Sequence, residues 1–455
     1  MIPRDRAIMS DLPESRAERE IDRLLGLYPR GFDLSLDRIA RLLEDLGRPQ
    51  DRLPPVIHVA GTNGKGSATA FSRALLESAG LSAHVHTSPH LVRWHERYRI
   101  GVAGGTGRLV SDEALLDAVL RVEKANAEQN ITVFELLTAV IFLLFSENPA
   151  DAAIIEVGLG GMYDATNVFA NPAASLIMPV ALDHQSWLGN TIEEIAAAKA
   201  GIIKPGRPVV IGRQDEPAAL EVLVDTAERL KSPLSIYGQD YMAYEEGGRL
   251  VYQDEDGLMD LPLPALPGRH QFANAAAAIR AVKSAGFSMT EEIVARAMKS
   301  VSWPARLQRL RTGKLVPLAP EGSEIWLDGG HNPHGGRAVA ESMVAFEERD
   351  PRPLYLVTGM INTKDPKGYF EAFEGIAREV LTVGIRNSDA GLDPVALASD
   401  AADAGLVAEP VTSTEEALRR IASFHRPGDR PPRILIGGSL YFAGTVLEDN
   451  GTLPE

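Results

Sequence analysis

The sequence predicts a two-domain α/β protein, in which a larger N-terminal domain with a mostly parallel sheet precedes a smaller doubly wound domain. Apolar runs such as AAIIEV (152–157), SLIMPV (175–180) and RILIGG (433–438) alternate with helical patterns, which is typical of buried parallel strands and their crossover helices. At 455 residues the chain exceeds what one hydrophobic core supports. The composition changes at VSWPARLQRLR, so we expect domains at 1–300 and 312–455 joined by a linker at 301–311.

The elements of the first domain follow one another in a regular order. Helical patterns run between residues 15 and 46 around the break LYPRGFDLS, and VIHVA (56–60) predicts the first buried strand. A small-residue helix at 68–79, a strand in LSAHVHTS and helices at 111–128 and 132–146 lead to AAIIEV and SLIMPV. After the helix at 192–201, short strands between 241 and 263, separated by EEGG and DEDG, predict a small antiparallel sheet.

The second domain repeats the alternation of strand and helix. EIWLDGG, PLYLVTGM, EVLTVGI and RILIGGSL predict strands, and helices are expected near residues 336, 369, 394 and 414. This order predicts a Rossmann-like α/β domain.

Composition excludes several classes of function. The formal net charge of -16 argues against a nucleic-acid surface, and no segment approaches the roughly 18 apolar residues that a membrane helix needs. The absence of cysteine excludes disulfides, thiolate metal sites and thiol catalysis. The polar start MIPRDRAIMSDLPESRAERE lacks an apolar signal core, so we expect a cytoplasmic protein, monomeric by default, without nucleic-acid or membrane partners.

The glycine-rich turn GTNGKGS after the first strand predicts a P-loop-type phosphate site. Backbone N–H groups would surround the phosphates, Lys65 would add a charge for the outer phosphates, and the Ser67 hydroxyl would help to hold a magnesium ion. The expected phosphate source is ATP, and a mere tight turn is the alternative. The candidate residues are Gly61, Thr62, Asn63, Gly64, Lys65, Gly66 and Ser67. The spacing departs from the common pattern, because Gly66 separates Lys65 from Ser67.

Polar residues also end three other predicted strands, at Ser88, Glu156 and Asp183-His184. Ligands of open α/β sheets bind beyond the carboxyl ends of the strands, so we expect these residues to converge with the glycine-rich turn. A lone carboxylate such as Glu156 in an apolar strand needs a partner, either a metal cation or an arginine. Ser88 could equally cap a turn before Pro89, and His184 could equally be a structural histidine.

Three further positions are weaker candidates on pattern alone. Lys199, in a small-residue helix, would ordinarily be a salt-bridge residue. Asp328 and His331, in LDGGHNPHGG, lie between a strand and a helix, which is weak evidence for a nucleotide crevice. Arg306 could reach phosphates, but a solvated linker charge is the default interpretation.

Taken together, these segments resemble the folylpolyglutamate synthase/dihydrofolate synthase family of the Mur-ligase superfamily. The resemblance rests on nine blocks in the family's order that span nearly the whole chain: HVAGTNGKGS, TSPHLVRWHERYRI, EVGLGGMYDATN, ALDHQSWLGNTIEEIAAAKAGIIKPG, LPGRHQFANAAAAI, WPARLQ, LDGGHNPH, TGMINTKDPKGYF and GSLYFAG. It implies ATP-driven amide ligation, in which a substrate carboxylate is phosphorylated and the acyl phosphate is attacked by the amino group of L-glutamate. It also accounts for the spacing of GTNGKGS.

The resemblance implies roles for individual residues. It places ATP at Gly64, Lys65, Gly66 and Ser67, one magnesium ion at Ser88 and Glu156 beside Ser67, and a second at His184. It implies that Lys199 is carbamylated to N6-carboxylysine, which helps to hold the second ion. Asn274, Arg306 and Asp328 match nucleotide contacts, and His331 lies near them; Lys65, His184, Lys199 and His331 are the expected catalytic residues.

The segment FDLSLDRI resembles the pterin-binding element of the bifunctional bacterial members, so we favour dihydropteroate, reduced folates and L-glutamate as substrates. The pterin contacts implied are Asp33, Leu34, Ser35, Phe134, Glu135, Tyr163, Asp164 and Ala165. One departure lies among them, since Met162-Tyr163 replaces the usual Arg-Leu. The alternatives are a monofunctional folylpolyglutamate synthase, another Mur-type amino-acid ligase, and a nucleotide-switched binding protein that performs no ligation.

Overall fold

The computed structural model describes residues 15–28, 35–386, 388 and 390–455. Within these residues the strands form one sheet of eight strands, one of three and one of six. The predicted fold class is confirmed: a mostly parallel sheet and a small antiparallel sheet in the first part of the chain, and a smaller α/β unit after them.

The largest sheet carries the strands that were predicted around the glycine-rich turn. Its strands are β1 (Val56–Ala60), β2 (Ala83–His86), β3 (Tyr98–Val102), β4 (Gly105–Leu109), β5 (Ala152–Glu156), β6 (Ala174–Ile177), β7 (Val209–Ile211) and β8 (Leu234–Ile236). Their spatial order is β4-β3-β2-β5-β1-β6-β7-β8, and only the pairs of β3 with β2 and β4 are antiparallel. Because β2, β5, β1 and β6 are parallel neighbours, their carboxyl ends meet at one edge.

Helices cover both faces of this sheet. They are α1 (Arg16–Leu27), α2 (Asp37–Asp45), α3 (Lys65–Ser78), α4 (Asp112–Asn126), α5 (Val133–Glu147), α6 (Gln185–Leu188), α7 (Ile192–Ala200), α8 (Pro217–Arg229), α9 (His270–Ser284) and α10 (Glu291–Ser300). The apolar sides of α3, α9 and α10 pack on one face, and those of α1, α2, α4 and α5 pack on the other. Thr132 and Thr191 are the N-caps of α5 and α7, and each forms a capping box with a glutamate three residues later. The side chains of each pair accept hydrogen bonds from N–H groups that have no acceptor within the helix.

The small sheet consists of β9 (Met242–Glu246), β10 (Arg249–Asp254) and β11 (Gly257–Leu261), paired antiparallel in the order β11-β10-β9. It lies where the short alternating runs predicted it. Leu250, Tyr252 and Leu261 are buried in the same core as α3 and α9, so this sheet supports the helices behind the glycine-rich turn.

The second unit has its own sheet and two hydrophobic clusters. Its strands are β12 (Gln308–Leu310), β13 (Glu324–Leu327), β14 (Leu354–Thr358), β15 (Ala377–Thr382), β16 (Ala408–Pro410) and β17 (Arg433–Gly437), in the order β12-β13-β17-β14-β15-β16. Its helices are α11 (Pro333–Arg349), α12 (Pro366–Phe370), α13 (Pro394–Asp403), α14 (Thr414–Phe424) and α15 (Leu440–Asn450). Strand β12 pairs with β13 inside the range expected to be a linker, and the exact domain boundaries stay a prediction.

Short 3-10 helices occur at Pro49–Arg52, Trp94–Arg97, Val316–Leu318 and Glu371–Phe373. In the part of the chain that the structure describes, no helix combines the length and apolar character needed to cross a bilayer.

Candidate active site

A cavity of about 1050 Å³ lies at the carboxyl edge of the largest sheet and is lined by residues from both units. Its walls contain all of the residues predicted to act in catalysis or to bind ATP or metal: Gly61, Thr62, Asn63, Gly64, Lys65, Gly66, Ser67, Ser88, Glu156, His184, Lys199, Asn274, Arg306, Asp328 and His331. The topology therefore places side chains that are up to 270 residues apart in sequence around one space.

The turn GTNGKGS connects β1 to α3, as the phosphate-loop interpretation requires. Gly64 caps α3 with φ of 81°, a left-handed conformation that glycine adopts without strain. The N–H groups of the first turn of α3 have no intrahelical acceptors, so they form a site for an anion. Lys65 Nζ donates to Gly61 O at 3.0 Å and to Thr62 O at 3.3 Å, and burial lowers its pKa.

Thr62 and Asn63 contact other parts of the protein. Their backbone N–H groups both donate to Pro179 O, at 2.8 and 3.3 Å, and Thr62 Oγ1 donates to Ala181 O at 3.0 Å. These bonds fasten the turn to the chain that follows β6. The backbone N–H groups of Thr62 and Asn63 are therefore already occupied, whereas those of the first turn of α3 are open to a phosphate.

Ser88 and Glu156 suit a metal ion in their burial and chemistry. Ser88 Oγ is buried without a hydrogen-bond partner among the described residues, so it does not cap the turn before Pro89. Glu156 lies beside it at the end of β5 and is 5% exposed. Burial raises the pKa of Glu156 to about 7, against the lowering effects of Lys65, Arg306 and the Ser88 backbone N–H. A cation at this place would give the orphaned hydroxyl a partner and keep the carboxylate ionised.

Within the described residues, no three Asp, Glu or His side chains are grouped as a ready-made metal centre. Magnesium binds through one or two protein ligands together with substrate phosphates, so the sparse ligands match a nucleotide-bound ion better than a permanent one.

Lys199 is buried on α7, and its Nζ donates to Gly61 O at 3.0 Å. It therefore contacts the same carbonyl oxygen as Lys65. Burial, together with the neighbouring charge of Lys65, lowers the pKa of Lys199 to about 7. No ion pair of Lys199 with a carboxylate occurs in the described structure, which argues against the ordinary salt-bridge interpretation.

Asp183 links the two units. Its Oδ1 lies 2.6 Å from Lys364 Nζ, and its Oδ2 lies 3.4 Å from His331 Nε2. Burial alone would raise the pKa of Asp183, but these two partners hold that pKa far below its usual range. His184, the next residue, has φ of 52° and lines the cavity with its side chain about half exposed. His331 is further fixed through Nδ1, which is 3.1 Å from Gly329 O.

Arg306, Asp328 and Asn274 also line the cavity. The Arg306 guanidinium acts electrostatically on Glu156 and Asp328 and lies next to Gly329, where an added Cβ would come within 2.7 Å of Nη1. Asp328 accepts from Leu307 N and Gly330 N at 2.9 and 2.7 Å, so it joins the backbone that follows Arg306 to the glycine-rich loop after β13. Asn274 Oδ1 faces Gly64, where an added Cβ would lie 2.8 Å away.

The predicted pterin residues that the structure describes lie outside the walls of this cavity. Asp164 is buried and accepts from Gly158 N, Leu159 N and Thr166 N, so it shapes the glycine loop that follows β5, and burial raises its pKa. Phe134 packs beside Gly158, and Ala165 is buried in the adjoining core.

The other pterin candidates differ in their surroundings. Glu135 pairs with Arg38 at 3.0 Å and closes the capping box of α5, so structural contacts use its carboxylate. Tyr163 is half exposed, and Ser35 Oγ accepts from Asp37 N at 3.0 Å. Asp33 and Leu34 lie outside the described residues.

Sequence reasoning missed three residues of the cavity region. Lys364 lies in the block TGMINTKDPKGYF, but nothing in that pattern indicates that it reaches Asp183. Trp303 packs against Gly66, where an added Cβ would lie 2.9 Å from the indole Nε1, and this contact accounts for a glycine between Lys65 and Ser67. His334 contacts Asn63 and Asp215.

Two family descriptions match this chain. Residues 59–282 match "Mur ligase middle domain", and residues 308–440 match "Mur ligase, glutamate ligase domain". Among curated relatives, the folylpolyglutamate synthase of Lacticaseibacillus casei is 34% identical over 435 residues, which cover 90% of this chain and 93% of that protein.

Solved structures show the same likeness. Escherichia coli FolC in complex with DHPP and ADP superposes with a TM-score of 0.83 at 26% identity, covering 96% of this chain and 98% of the other. A bifunctional folylpolyglutamate synthase/dihydrofolate synthase with Mn, AMPPNP and L-glutamate bound superposes with a TM-score of 0.80 at 27% identity, again covering 96% and 98%.

Proposed function

The chain belongs to the folylpolyglutamate synthase/dihydrofolate synthase family of the Mur ligases, and from this membership we propose that it is the bifunctional enzyme of that family. It is an ATP-dependent ligase that forms an amide bond between a carboxylic acid and an amino acid. Its substrates are dihydropteroate, to which the first L-glutamate is added, and reduced folates, whose glutamate tails are extended at the γ-carboxyl. The observation that carries this proposal is the single cavity in which the phosphate loop, Glu156 and Lys199 face Arg306 and His331.

The reaction begins with an unreactive carboxylate. The γ-phosphoryl group of ATP passes to a carboxylate oxygen, ADP is released, and the acyl phosphate that results carries a good leaving group. The amine of L-glutamate then attacks the acyl carbon, loses a proton and expels phosphate. Donors and cations that face the transferring oxygens stabilise the negative charge that develops there.

Residues of this chain match these requirements. The N–H groups from Gly64 onwards and the Lys65 ammonium hold the β- and γ-phosphates, and Arg306 approaches from the second unit. Ser67, Ser88 and Glu156 would hold one magnesium ion, and His184 and Lys199 a second. These ions would neutralise phosphate charge and align the phosphoryl group for transfer. His331, held by Asp183 and Gly329, lies on the side of the second domain.

The role of Lys199 in this scheme requires N6-carboxylysine. An unmodified ammonium would repel a metal ion, whereas the carbamate that carbon dioxide forms with the amine offers oxygen ligands. Burial, the lack of a carboxylate partner in the described residues and the nearby Lys65 charge all support this modification.

Two relatives support the substrates. One solved relative is bound to DHPP and ADP, and another, bifunctional by its description, is bound to Mn, AMPPNP and L-glutamate. The Asp164 loop, Phe134 and Ala165 then form the pterin side, with Asp33, Leu34, Ser35, Glu135 and Tyr163 as further contacts. Reduced folates as second substrates, a monomeric state and a cytoplasmic location are parts of the proposal that rest on the sequence.

The test is an assay of ADP release in which dihydropteroate and tetrahydrofolate are compared side by side, each with and without L-glutamate. The bifunctional enzyme requires L-glutamate with either acceptor and forms a new amide product, which mass spectrometry identifies. Activity that requires L-glutamate and occurs with tetrahydrofolate but not with dihydropteroate would indicate the monofunctional enzyme. ATP hydrolysis without an amide product would indicate a nucleotide-switched protein, and a requirement for a UDP-sugar peptide would indicate another Mur-type ligase.

A further inference from the structure

The side chain of Asn63 is directed towards the second domain. Its backbone N–H donates to Pro179 O. Its side chain forms a reciprocal amide pair with Asn332, in which Asn332 Nδ2 lies 3.1 Å from Asn63 Oδ1 and Asn63 Nδ2 lies 3.4 Å from Asn332 Oδ1. Asn332 is the N-cap of α11, because its Oδ1 accepts from Gly335 N at 2.8 Å. Thus the loop that binds phosphate contacts the beginning of a helix of the second domain directly.

His334, in the first turn of α11, makes a second contact with the same amide. Asn63 Nδ2 lies 3.0 Å from His334 Nδ1, and an amide nitrogen can only donate, so Nδ1 is the acceptor. The proton of the neutral imidazole therefore resides on Nε2, which lies 3.1 Å from Asp215 Oδ2 and donates to it. Asp215, which follows β7 in the first domain, also pairs with Arg213 at 2.9 Å. His334 is thus held between two groups of the first domain, and Asp215 fixes the tautomer that Asn63 needs.

We propose that His334 is a positioning residue, oriented by Asp215, which docks the second domain on the phosphate loop through Asn63. Asn63 and the phosphate-binding donors are adjacent in the chain, so the contact places the donors in register with Arg306, Asp328 and His331 of the other domain. Asn63 then serves assembly of the site, and phosphate binding is left to the residues that follow it. This inference rests on the proposed ligase function where kcat is measured. The measurement of the distance between the two domains does not depend on that function.

Two substitutions of His334 separate its two hydrogen bonds. In His334→Asn the side-chain oxygen can occupy the place of Nδ1 and accept from Asn63, whereas in His334→Gln the polar end reaches towards Asp215. We expect His334→Gln and Asn63→Ala each to lower kcat about 10- to 100-fold, because a small misplacement of reacting groups has effects of that size. His334→Asn should stay within about threefold of the wild type, and the double variant Asn63→Ala/His334→Gln should be no worse than either single variant.

Asp215→Ala supplies the matched control. Without the carboxylate the imidazole can carry its proton on Nδ1, which cannot accept from Asn63, so kcat should fall in the wild-type background. The same change should have little effect in the His334→Asn background, where no tautomer has to be fixed. In all these variants the Kd of AMPPNP, measured by calorimetry, should stay within about threefold of the wild type.

The structural readout uses the absence of cysteine from the chain. Leu258→Cys on β11 and Val407→Cys before β16, both at exposed positions, allow one spin label in each domain. With AMPPNP bound, the distance distribution should be narrow in the wild type and in His334→Asn, and broader or longer in Asn63→Ala and His334→Gln. Equal distributions in all four proteins would overturn the proposal. A rise in the AMPPNP Kd of Asn63→Ala that matches its loss of kcat would also overturn it and identify a phosphate contact. Failure of the wild type to ligate glutamate would refute the proposed function and leave the distance test standing.

Discussion

Lys364 Nζ lies 2.6 Å from Asp183 Oδ1, and the two side chains are only 8% and 9% exposed. The pair joins the second domain to the chain that follows β6, next to His184 and His331. Removing one partner of a buried ion pair leaves the other charge without compensation, which costs more than the pair contributes while intact. Asp183 would keep only its contacts with His331 and Asn332 as cross-domain partners in the described structure.

We therefore expect Lys364→Met to lower kcat about 100-fold through misplacement of the two domains and to lower the free energy of unfolding by about 3 kcal/mol. Lys367→Met, three residues further along the chain at an exposed position on α12, is the control and should change neither quantity appreciably. Steady-state kinetics and urea unfolding measure the two effects. Wild-type values for both in Lys364→Met would show that the pair is dispensable.

Lys65→Ala should reduce ADP release by at least about 10²- to 10³-fold, the usual result of removing one donor from a developing negative charge. The Lys65 ammonium donates to two carbonyl oxygens of its own loop, so the alanine variant should remain folded. Circular dichroism checks the fold, and a coupled assay checks turnover. A variant with normal turnover would refute the assignment of the phosphate loop.

The buried hydrogen bonds of Arg433 lead us to expect an effect on stability that is separate from catalysis. It is 2% exposed, and its guanidinium donates to Glu324 Oε2 at 2.9 Å and to Asp350 O at 3.1 Å. Arg433→Met should lower the free energy of unfolding by about 3 kcal/mol at neutral pH, because buried acceptors lose their donor. Arg430→Met, which affects an exposed pair with the Asp350 side chain, should have little effect.

The ion pair of Arg433 with Glu324 also indicates how the loss of stability in Arg433→Met should depend on pH. Burial opposes ionisation of Glu324, but Arg309 and Arg433 outweigh it and lower the pKa of its carboxyl below 4.5. A lowered pKa stabilises the folded state above the unfolded value, and this contribution is lost as the pH falls below 4.5 through the folded value. The difference between wild type and Arg433→Met should therefore shrink on acidification through that range. An unchanged difference would show that packing alone explains the effect.

Much of this site is predictable because its chemistry is local in the sequence. GTNGKGS carries its donors, its lysine and its helix start within seven residues. Glu156 ends β5, whereas Ser88 and Asp183 lie in the segments that follow β2 and β6, and the parallel order of these strands brings all three residues to one edge. The hairpin β3–β4 escaped prediction, because GVAGGTG indicates a loop until a neighbouring strand supplies its hydrogen bonds.

The residues that escaped prediction act between distant parts of the chain. Lys364 and His334 lie on the second domain, and their partners Asp183, Asn63 and Asp215 lie on the first. No sequence spacing encodes such a contact, since it depends on how two folded units meet. Glu135 illustrates the opposite difficulty: the segment TVFE fits a capping box and a substrate contact equally well, and only the structure shows the bond with Arg38.

Lys199 gives the sharpest test of the second metal site. Its Nζ is buried against Gly61 O, where an unmodified ammonium would stand beside a second cation, Lys65. If a carbamate supplies metal ligands there, Lys199→Ala should lose turnover by about 10²-fold or more, and a short-chain carboxylate such as acetate or propionate should restore part of it by entering the vacated space. Lys204→Ala, a lysine beyond the end of α7, is the control and should neither lose activity nor respond to the carboxylate. A crystal structure with both metal ions bound and a bare amine at Lys199 would contradict the carbamate, and so would a Lys199→Ala variant that retains full activity without added carboxylate.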